Sequence, residues 1–232
     1  MNPVQIESIS LTLKINPNLS LRDPQKTALG RKIIKYSILL INEIGLENFT
    51  FKKVAERIQS TEASIYRYFE NKHLLFIYLL NWYWEWIKFR IDINVLNITD
   101  PVIKLKKAIR VLVDASKRNT NTEFVDEDIL HQIVVSEGTK GYHTISIDEE
   151  NREGFFVAYK SLCEKIMDIL LEINPDFPYP RSVASTLVET ANNNIYFASH
   201  LPRLTDIKAN EGDVLDNVGD LVEYMALKLI GN

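Results

Sequence analysis

The chain has 232 residues, 46% hydrophobic and 25% charged, the make-up of a soluble protein with one or two cored domains. Eight glycines and eight prolines, about 7% of the chain, fall below the roughly 12% of an average protein and argue against a turn-dense sandwich or barrel. The single Cys163 excludes an intrachain disulfide framework and suits a reducing compartment, no signal-peptide pattern opens the chain, and the charge-free run Leu74–Trp84 is far short of the roughly 20 residues of a membrane span. A cytoplasmic, mostly helical protein is expected.

In chain order, residues 1–22 stand apart as an N-terminal extension. Ile9, Leu11, Leu13 and Ile15 alternate with Ser10, Thr12 and Lys14, a period of two that suits a strand. Without an evident partner strand the segment is either a docked extension or a disordered arm, and it is placed outside the core. Asp23-Pro24 reads as a helix start, acceptor side chain first and proline next. Leu29, Ile33, Leu40 and Ile44 then recur at helical spacing up to Gly45, which can end the helix. Thr50 is the expected cap of a second, short helix carrying Val54, Ala55 and Ile58, and Thr61 of a third with Ile65 and Phe69. One long and two short helices with a tight connection read as helix-turn-helix.

Asn71 opens a long fourth helix through the aromatic stretch Tyr78–Ile93. Asp100-Pro101 repeats the cap-plus-proline start, with Leu105, Ile109 and Leu112 on one face. After a polar break at Asn119–Thr122 a helix runs to Ser136 and ends near Gly138. A continuous helix is expected from Glu149 to Ile173, with Phe156, Tyr159, Cys163, Ile166 and Leu170 on its stripe, ended by Asn174-Pro175. Arg181–His200 and Asp213–Ile230 complete an all-α chain of about nine helices.

The charge is unevenly spread. Overall it is −4, yet residues 22–73 carry ten Lys and Arg against six Asp and Glu, and residues 74–232 carry 16 against 24. A basic N-terminal segment on an acidic chain suits approach to a polyanion.

The stretch from Phe51 to Lys72, and above all the run Ile65-Tyr66-Arg67-Tyr68-Phe69-Glu70-Asn71-Lys72, resembles the DNA-binding domain of TetR-family transcriptional regulators. The likeness covers about residues 24–80, and the helical remainder has the length of the family's ligand-binding and dimerisation domain. It departs from the family at Gln59, Ser60 and Ala63, where glycine, a small apolar residue and glycine are usual. A non-glycine in a left-handed turn at Gln59 would cost on the order of 1 kcal/mol.

The resemblance implies three parts: the extension 1–22, a helix-turn-helix DNA-binding domain 23–71 and an effector-binding and dimerisation domain 72–232. It implies backbone contacts to DNA from Thr50, Tyr66, Tyr68 and Lys72. With Ile65 and Phe69 anchoring the third helix, Glu62, Ala63, Ser64, Tyr66, Arg67 and Tyr68 are expected to face the groove. Ser64 and Arg67 are the expected base readers, Ala63 touches a thymine methyl, and Thr61 combines capping with phosphate contact. Lys72 sits at the positive end of the fourth helix, an unfavourable place that a phosphate between the ammonium and the helix N–H groups would explain.

Aromatic residues on several sides of the fourth helix mean that it is surrounded. They are either plain core or the wall of an effector pocket, and Trp82, Trp86 and Phe89 are the candidates. Tyr142, Phe156, Tyr159, Asn193, Tyr196 and Phe197 are candidates for the other walls, so a small apolar or aromatic effector is expected. Glu127, Asp128 and His131 have a spacing compatible with a metal, but a hydrogen-bonded histidine is the better expectation, and no catalytic, metal or cofactor residue is assigned. The expected function is a homodimeric repressor on a pseudo-palindromic double-stranded DNA operator, released by its effector and without a membrane role. The alternative is a ligand-independent architectural DNA-binding protein.

Overall fold

The structure, a computed structural model, describes residues 12–117, 124–209 and 212–231. Among them the chain has eleven α-helices and no strand. The expected alternation at Ile9 and Leu11 and the polar break at Asn119–Thr122 lie outside the described residues, and Leu13 and Ile15 are in irregular backbone.

Helix α1 (Ala28–Asn48) starts later than the Asp23-Pro24 signal suggests. Asp23 caps a 3-10 turn at Pro24–Lys26, and Thr27 then caps α1 by accepting from the Gly30 N–H at 2.9 Å. The turn lies so close to the helix that a Cβ at Gly30 would meet the Pro24 carbonyl oxygen at 2.3 Å. Ile33, Ile34, Ile38 and Ile41 face inward, and the helix kinks at Gly45 (φ 75°, ψ 159°), where the sequence places its end.

The extension is docked from residue 12 onward, and Leu13 and Leu19 belong to the core rather than lying outside it. The Gln25 carboxamide pairs with both backbone groups of Leu13, accepting from its N–H at 3.1 Å and donating to its carbonyl at 2.8 Å. The Leu21 N–H donates to the Tyr68 carbonyl. Asn16 and Asn18 donate to the backbone carbonyl and side-chain carboxylate of Glu153, far away in sequence.

Helices α2 (Phe51–Arg57) and α3 (Glu62–Tyr66) follow. Helix α4 (Lys72–Val95), capped by Asn71, is surrounded as its aromatic pattern demands: Trp82, Tyr78, Tyr83 and Phe76 are at most 1% exposed. Burial of apolar side chains contributes about 1.5–3 kcal/mol each, which makes this helix the spine of the molecule. It packs on α5 (Pro101–Val113), α6 (Glu127–Glu137), the short α7 (Thr139–Tyr142) and α9 (Val157–Ile173). Asp100 caps α5 by accepting from Val102 and Ile103 N–H, and Asp126 caps α6.

The continuous helix expected from Glu149 is two helices. Helix α8 (Ile147–Arg152) stops at a turn where Gly154 has φ 79°, and α9 begins at Val157. Together with α7 this raises the expected nine helices to eleven. Helices α10 (Pro180–His200) and α11 (Val214–Ile230) close the fold; α10 packs on α9 and α11, and α11 on α5. Arg110 of α5 fastens α11 through Asp216, Asp220 and Glu223, and it lies where a Cβ on Gly219 would meet its guanidinium at 2.2 Å.

Candidate nucleic-acid interface

Thr50 has extended backbone and its hydroxyl accepts from the Lys53 N–H at 3.3 Å, starting α2 as the sequence predicts. Helix α2 ends in a pair of hydrogen bonds, Ser60 N–H to the Ala55 carbonyl and Gln59 N–H to the Glu56 carbonyl. That pattern is a Schellman motif, whose hinge residue must be left-handed. Gln59 fills it at φ 53°, the one non-glycine with positive φ among the described residues. The turn aims α3 away from α2, with Ile65 and Phe69 fully buried beneath it. The helix stops at Tyr66, and Tyr68 and Phe69 follow in a turn whose N–H groups return to the Ile65 carbonyl.

Thr61 stands at the N-terminal position of α3 but does not cap it with its side chain. Its hydroxyl bonds the Ser64 hydroxyl at 2.8 Å instead.

The expected contact residues divide by exposure. Ala63, Tyr66 and Arg67 of the α3 region are exposed, as are Thr50, Thr61 and Lys72 around it. Tyr66 rests edge-on against Phe51, the ring centres 5.1 Å apart, which holds its ring at a fixed angle. Two expected groove-facing residues are turned away. Ser64 is 9% exposed and held by Thr61, which takes it off the base-reading surface. Tyr68 is 2% exposed, its hydroxyl bonded to the Thr27 hydroxyl at 2.7 Å. It belongs to the seam where the extension and the start of α1 meet α3, with the Arg22 guanidinium 5.6 Å over its ring.

Lys72 also has a different physical reason from the expected one. Its ammonium donates to the carbonyls of Leu46, Glu47 and Phe49, at 3.3, 3.2 and 3.5 Å, at the far end of α1. The positive charge that is misplaced on its own helix is well placed at the negative end of another.

The basic groups are not equally available. Arg57 and Glu43 form a two-pronged pair with both bonds at 2.7 Å, and that bond lowers the Glu43 carboxyl and raises the guanidinium. Lys53 reaches back to the Asn48 carbonyl. Lys52, Arg22 and Lys26 are exposed cations that no residue-by-residue expectation singled out. The net charge of the segment was the available signal, and only the folded chain assigns the charges to a surface.

The residues expected to line an effector pocket fall into three groups. Trp82 is fully buried, stacked on Trp86 with centres 6.0 Å apart and edge-on to Phe124; Phe89, partly exposed, stacks on Trp86 from outside. Tyr142, Phe156 and Tyr159 form a second cluster with Trp84, whose indole N–H donates to the Tyr142 hydroxyl at 2.7 Å. Tyr159 donates its hydroxyl to Glu189, and beside it the half-buried Cys163 thiol is pushed up to about 11 by burial. Asn193 is exposed on α10, with Tyr196 and Phe197 half-buried.

In place of a metal site, Tyr83 hydrogen-bonds His131 Nδ1 at 2.7 Å. Among the described residues no group of three or more His, Cys, Asp or Glu could hold a metal, and no helix is long and apolar enough to cross a membrane.

A long helix, a short one, a tight left-handed turn and a second short helix with an exposed outer face make a helix-turn-helix module. Residues 33–79 match the family described as bacterial regulatory proteins, tetR family. Among curated proteins, none matches the chain. Several solved structures share the fold. The fatty acid degradation regulator FadR from Bacillus halodurans is 19% identical, with 87% of this chain and 96% of that one covered, at a TM-score of 0.61. AibR, in complex with isovaleryl coenzyme A and operator DNA, is 14% identical, with 84% and 97% covered, at a TM-score of 0.59. The ketosteroid regulator KstR2 of Mycobacterium tuberculosis is 15% identical, with 89% and 95% covered, at 0.56.

Proposed function

We propose that the protein is a repressor that binds a pseudo-palindromic operator as a homodimer and is released by a small-molecule effector bound in its C-terminal domain. The observation that carries this is the outer face of α3. Ala63 and Tyr66 on the helix and Arg67 just past its end stand exposed, while Ile65 and Phe69 lock the other side into the core. Arg67 is the base reader in this scheme, since Ser64 is turned inward. Tyr66, Thr50 and Thr61 meet phosphates, with Lys52 and Lys72 adding charge.

Dimerisation is assigned to α10 and α11. Tyr224 and Leu229 of α11, 63% and 49% exposed, would lie in that interface. Two copies would set half-sites about 34–36 Å apart, one turn of duplex. Effector binding would favour a conformation with the wrong spacing between the two α3 helices, and a coupling of about 1–3 kcal/mol gives roughly 5–150-fold weaker operator binding. Helix α4 connects the two regions, running from Lys72 beside α1 to the aromatic clusters. Such a regulator works in the cytoplasm, where the DNA is.

Selection of bound sites from random duplex DNA tests the proposal. The expected product is an inverted repeat, and Arg67→Ala is expected to relax the preference at one position of each half-site. Recovery of unrelated sequences, or a purified protein that is monomeric at micromolar concentration, would refute it.

A further inference from the structure

The cations of the N-terminal half differ in what holds them. Arg57 is paired with Glu43, and Lys53 and Lys72 are held by carbonyls at the end of α1. Arg31 donates to the Gln25 carbonyl at 2.8 Å, and Lys26 lies 3.5 Å from Asp23. Arg22 is different. It is exposed, and among the described residues no carboxylate pairs with it. Its guanidinium lies instead over the Tyr68 ring, 5.6 Å from the centre.

The surroundings fix where that guanidinium stands. The residue before it, Leu21, donates its N–H to the Tyr68 carbonyl at 2.9 Å, which ties the chain at Arg22 to the turn that ends α3. Leu19, three residues before Arg22, is fully buried. Tyr68 is itself immobilised, 2% exposed and with its hydroxyl on Thr27. The ring face attracts the cation, while the N–H groups at the edge of the guanidinium stay free for a two-pronged acceptor. Asp23, the next residue in the chain, is already engaged: it accepts from the Gln25 N–H at 2.9 Å and pairs with Lys26.

This position acquires a role once α3 lies in a major groove. A helix about 10–12 Å across fills a groove about 12 Å wide, so a group beside the end of the helix meets the phosphate wall rather than the base edges. Arg22 stands there, over the ring of the second residue after α3. The flank it belongs to is basic. Lys14 and Lys26, both exposed, line one cleft of about 560 Å³ with Arg22, and Asp23 is the only acid among the described residues of its wall.

We infer that Arg22 is a contact to a DNA phosphate made from outside the helix-turn-helix, by a guanidinium seated on the Tyr68 ring. The contact that the family resemblance implies for Tyr68 falls to Arg22, and Tyr68 is its platform. The N-terminal extension thereby becomes part of the DNA surface. This contact presupposes that α3 binds duplex DNA as proposed above.

Arg22 is exposed, so Arg22→Ala and Arg22→Lys are expected to fold as the parent does. Binding is followed by fluorescence anisotropy over a range of salt concentrations, on a site selected with the parent protein and on an unrelated duplex of the same length. Arg22→Ala is expected to lower the salt slope by about 0.9 for each protomer bound. At about 0.1 M salt it is expected to weaken binding roughly five- to tenfold per protomer, on both duplexes alike. Arg22→Lys is expected to keep the parental slope, and so is Lys107→Ala, which removes an exposed charge from α5 in the C-terminal domain. A parental slope in Arg22→Ala, a loss confined to the selected site, an Arg22→Lys protein as weak as the alanine variant, or an equal loss in Lys107→Ala would each overturn the assignment and leave DNA binding itself standing. A parent protein that binds no duplex would overturn both.

Discussion

Replacing Gln59 by glycine is expected to stabilise the protein, and the backbone sets the size of the effect. Gln59 holds φ 53° at the hinge of the Schellman turn between α2 and α3. A left-handed L-residue costs about 1–2 kcal/mol. Glycine removes that strain but adds unfolded-state freedom worth about 0.5–1 kcal/mol in the opposite direction. The two ranges leave a net gain of roughly 0–1.5 kcal/mol, about 0.75 kcal/mol at their centres, or about 1.5–3 °C in Tm for a chain of this size. The Gln59 side chain is exposed, so losing it adds little. Gln59→Ala, which keeps the Cβ, isolates the backbone contribution and is expected to stay within about 0.5 kcal/mol of the parent. Urea unfolding followed by circular dichroism at fixed protein concentration measures all three proteins. A glycine variant no more stable than the alanine variant would show that the turn is not strained and that the reasoning is wrong.

Lys72→Ala is expected to do two separable things. Loss of the ammonium that closes α1 costs about 1 kcal/mol of stability, and loss of a phosphate partner lowers the salt slope of DNA binding by about one unit; a lower stability with an unchanged slope, by fluorescence anisotropy, would make the lysine purely a helix closure. Tyr68→Phe should cost about 1 kcal/mol through the lost bond to Thr27 and leave operator affinity alone, and a tenfold loss of affinity would return Tyr68 to the DNA surface. His131 is held near 4 against an ordinary 6.5, so its contribution is complete above pH 6.5 and is lost as pH falls towards 4, where the unfolded chain takes a proton the folded one refuses. That adds a slope approaching 1.4 kcal/mol per pH unit in this window, and His131→Gln should flatten denaturation midpoints measured across it; equal slopes in the two proteins would contradict the burial.

Much of the architecture was legible because its determinants are local. Asn71, Asp100 and Asp213 cap their helices by accepting from N–H groups two or three residues on, a relation visible in a few letters of sequence. The left-handed residue at Gln59 was suggested by the family resemblance, in which glycine is usual at that position, rather than by the local sequence. Distant partners were not legible. Tyr68 bonds Thr27, 41 residues away, and Lys72 is engaged by carbonyls about 25 residues away, so a local pattern puts Tyr68 on the surface and leaves Lys72 without its partners. Thr61 misled because a threonine before a helix can satisfy a neighbouring hydroxyl instead of an N–H. The apolar stripe from Phe156 to Leu170 is real, but the preceding helix has its own axis, and Gly154 marks the break. Aromatic periodicity located the spine of the C-terminal domain without distinguishing a filled interior from an open groove. His131, flagged for its carboxylate neighbours, is defined instead by Tyr83, 48 residues earlier.

The docked extension has a mechanical consequence. It is fixed by Leu13, buried and bonded twice to Gln25, at one end and by Leu19 in the core and the Leu21 bond to Tyr68 at the other, while Asn16 and Asn18 between them hold Glu153 at the α8–α9 turn. Two side-chain bonds open for about 0.5–1.5 kcal/mol each, whereas pulling out a buried leucine costs about 1.5–3 kcal/mol and exposes apolar surface. When α3 and the α8–α9 turn are pulled apart, the asparagine contacts let go first. The segment is thus a breakaway tether: it resists small excursions, yields at a defined load, and stays attached to the half that carries α3.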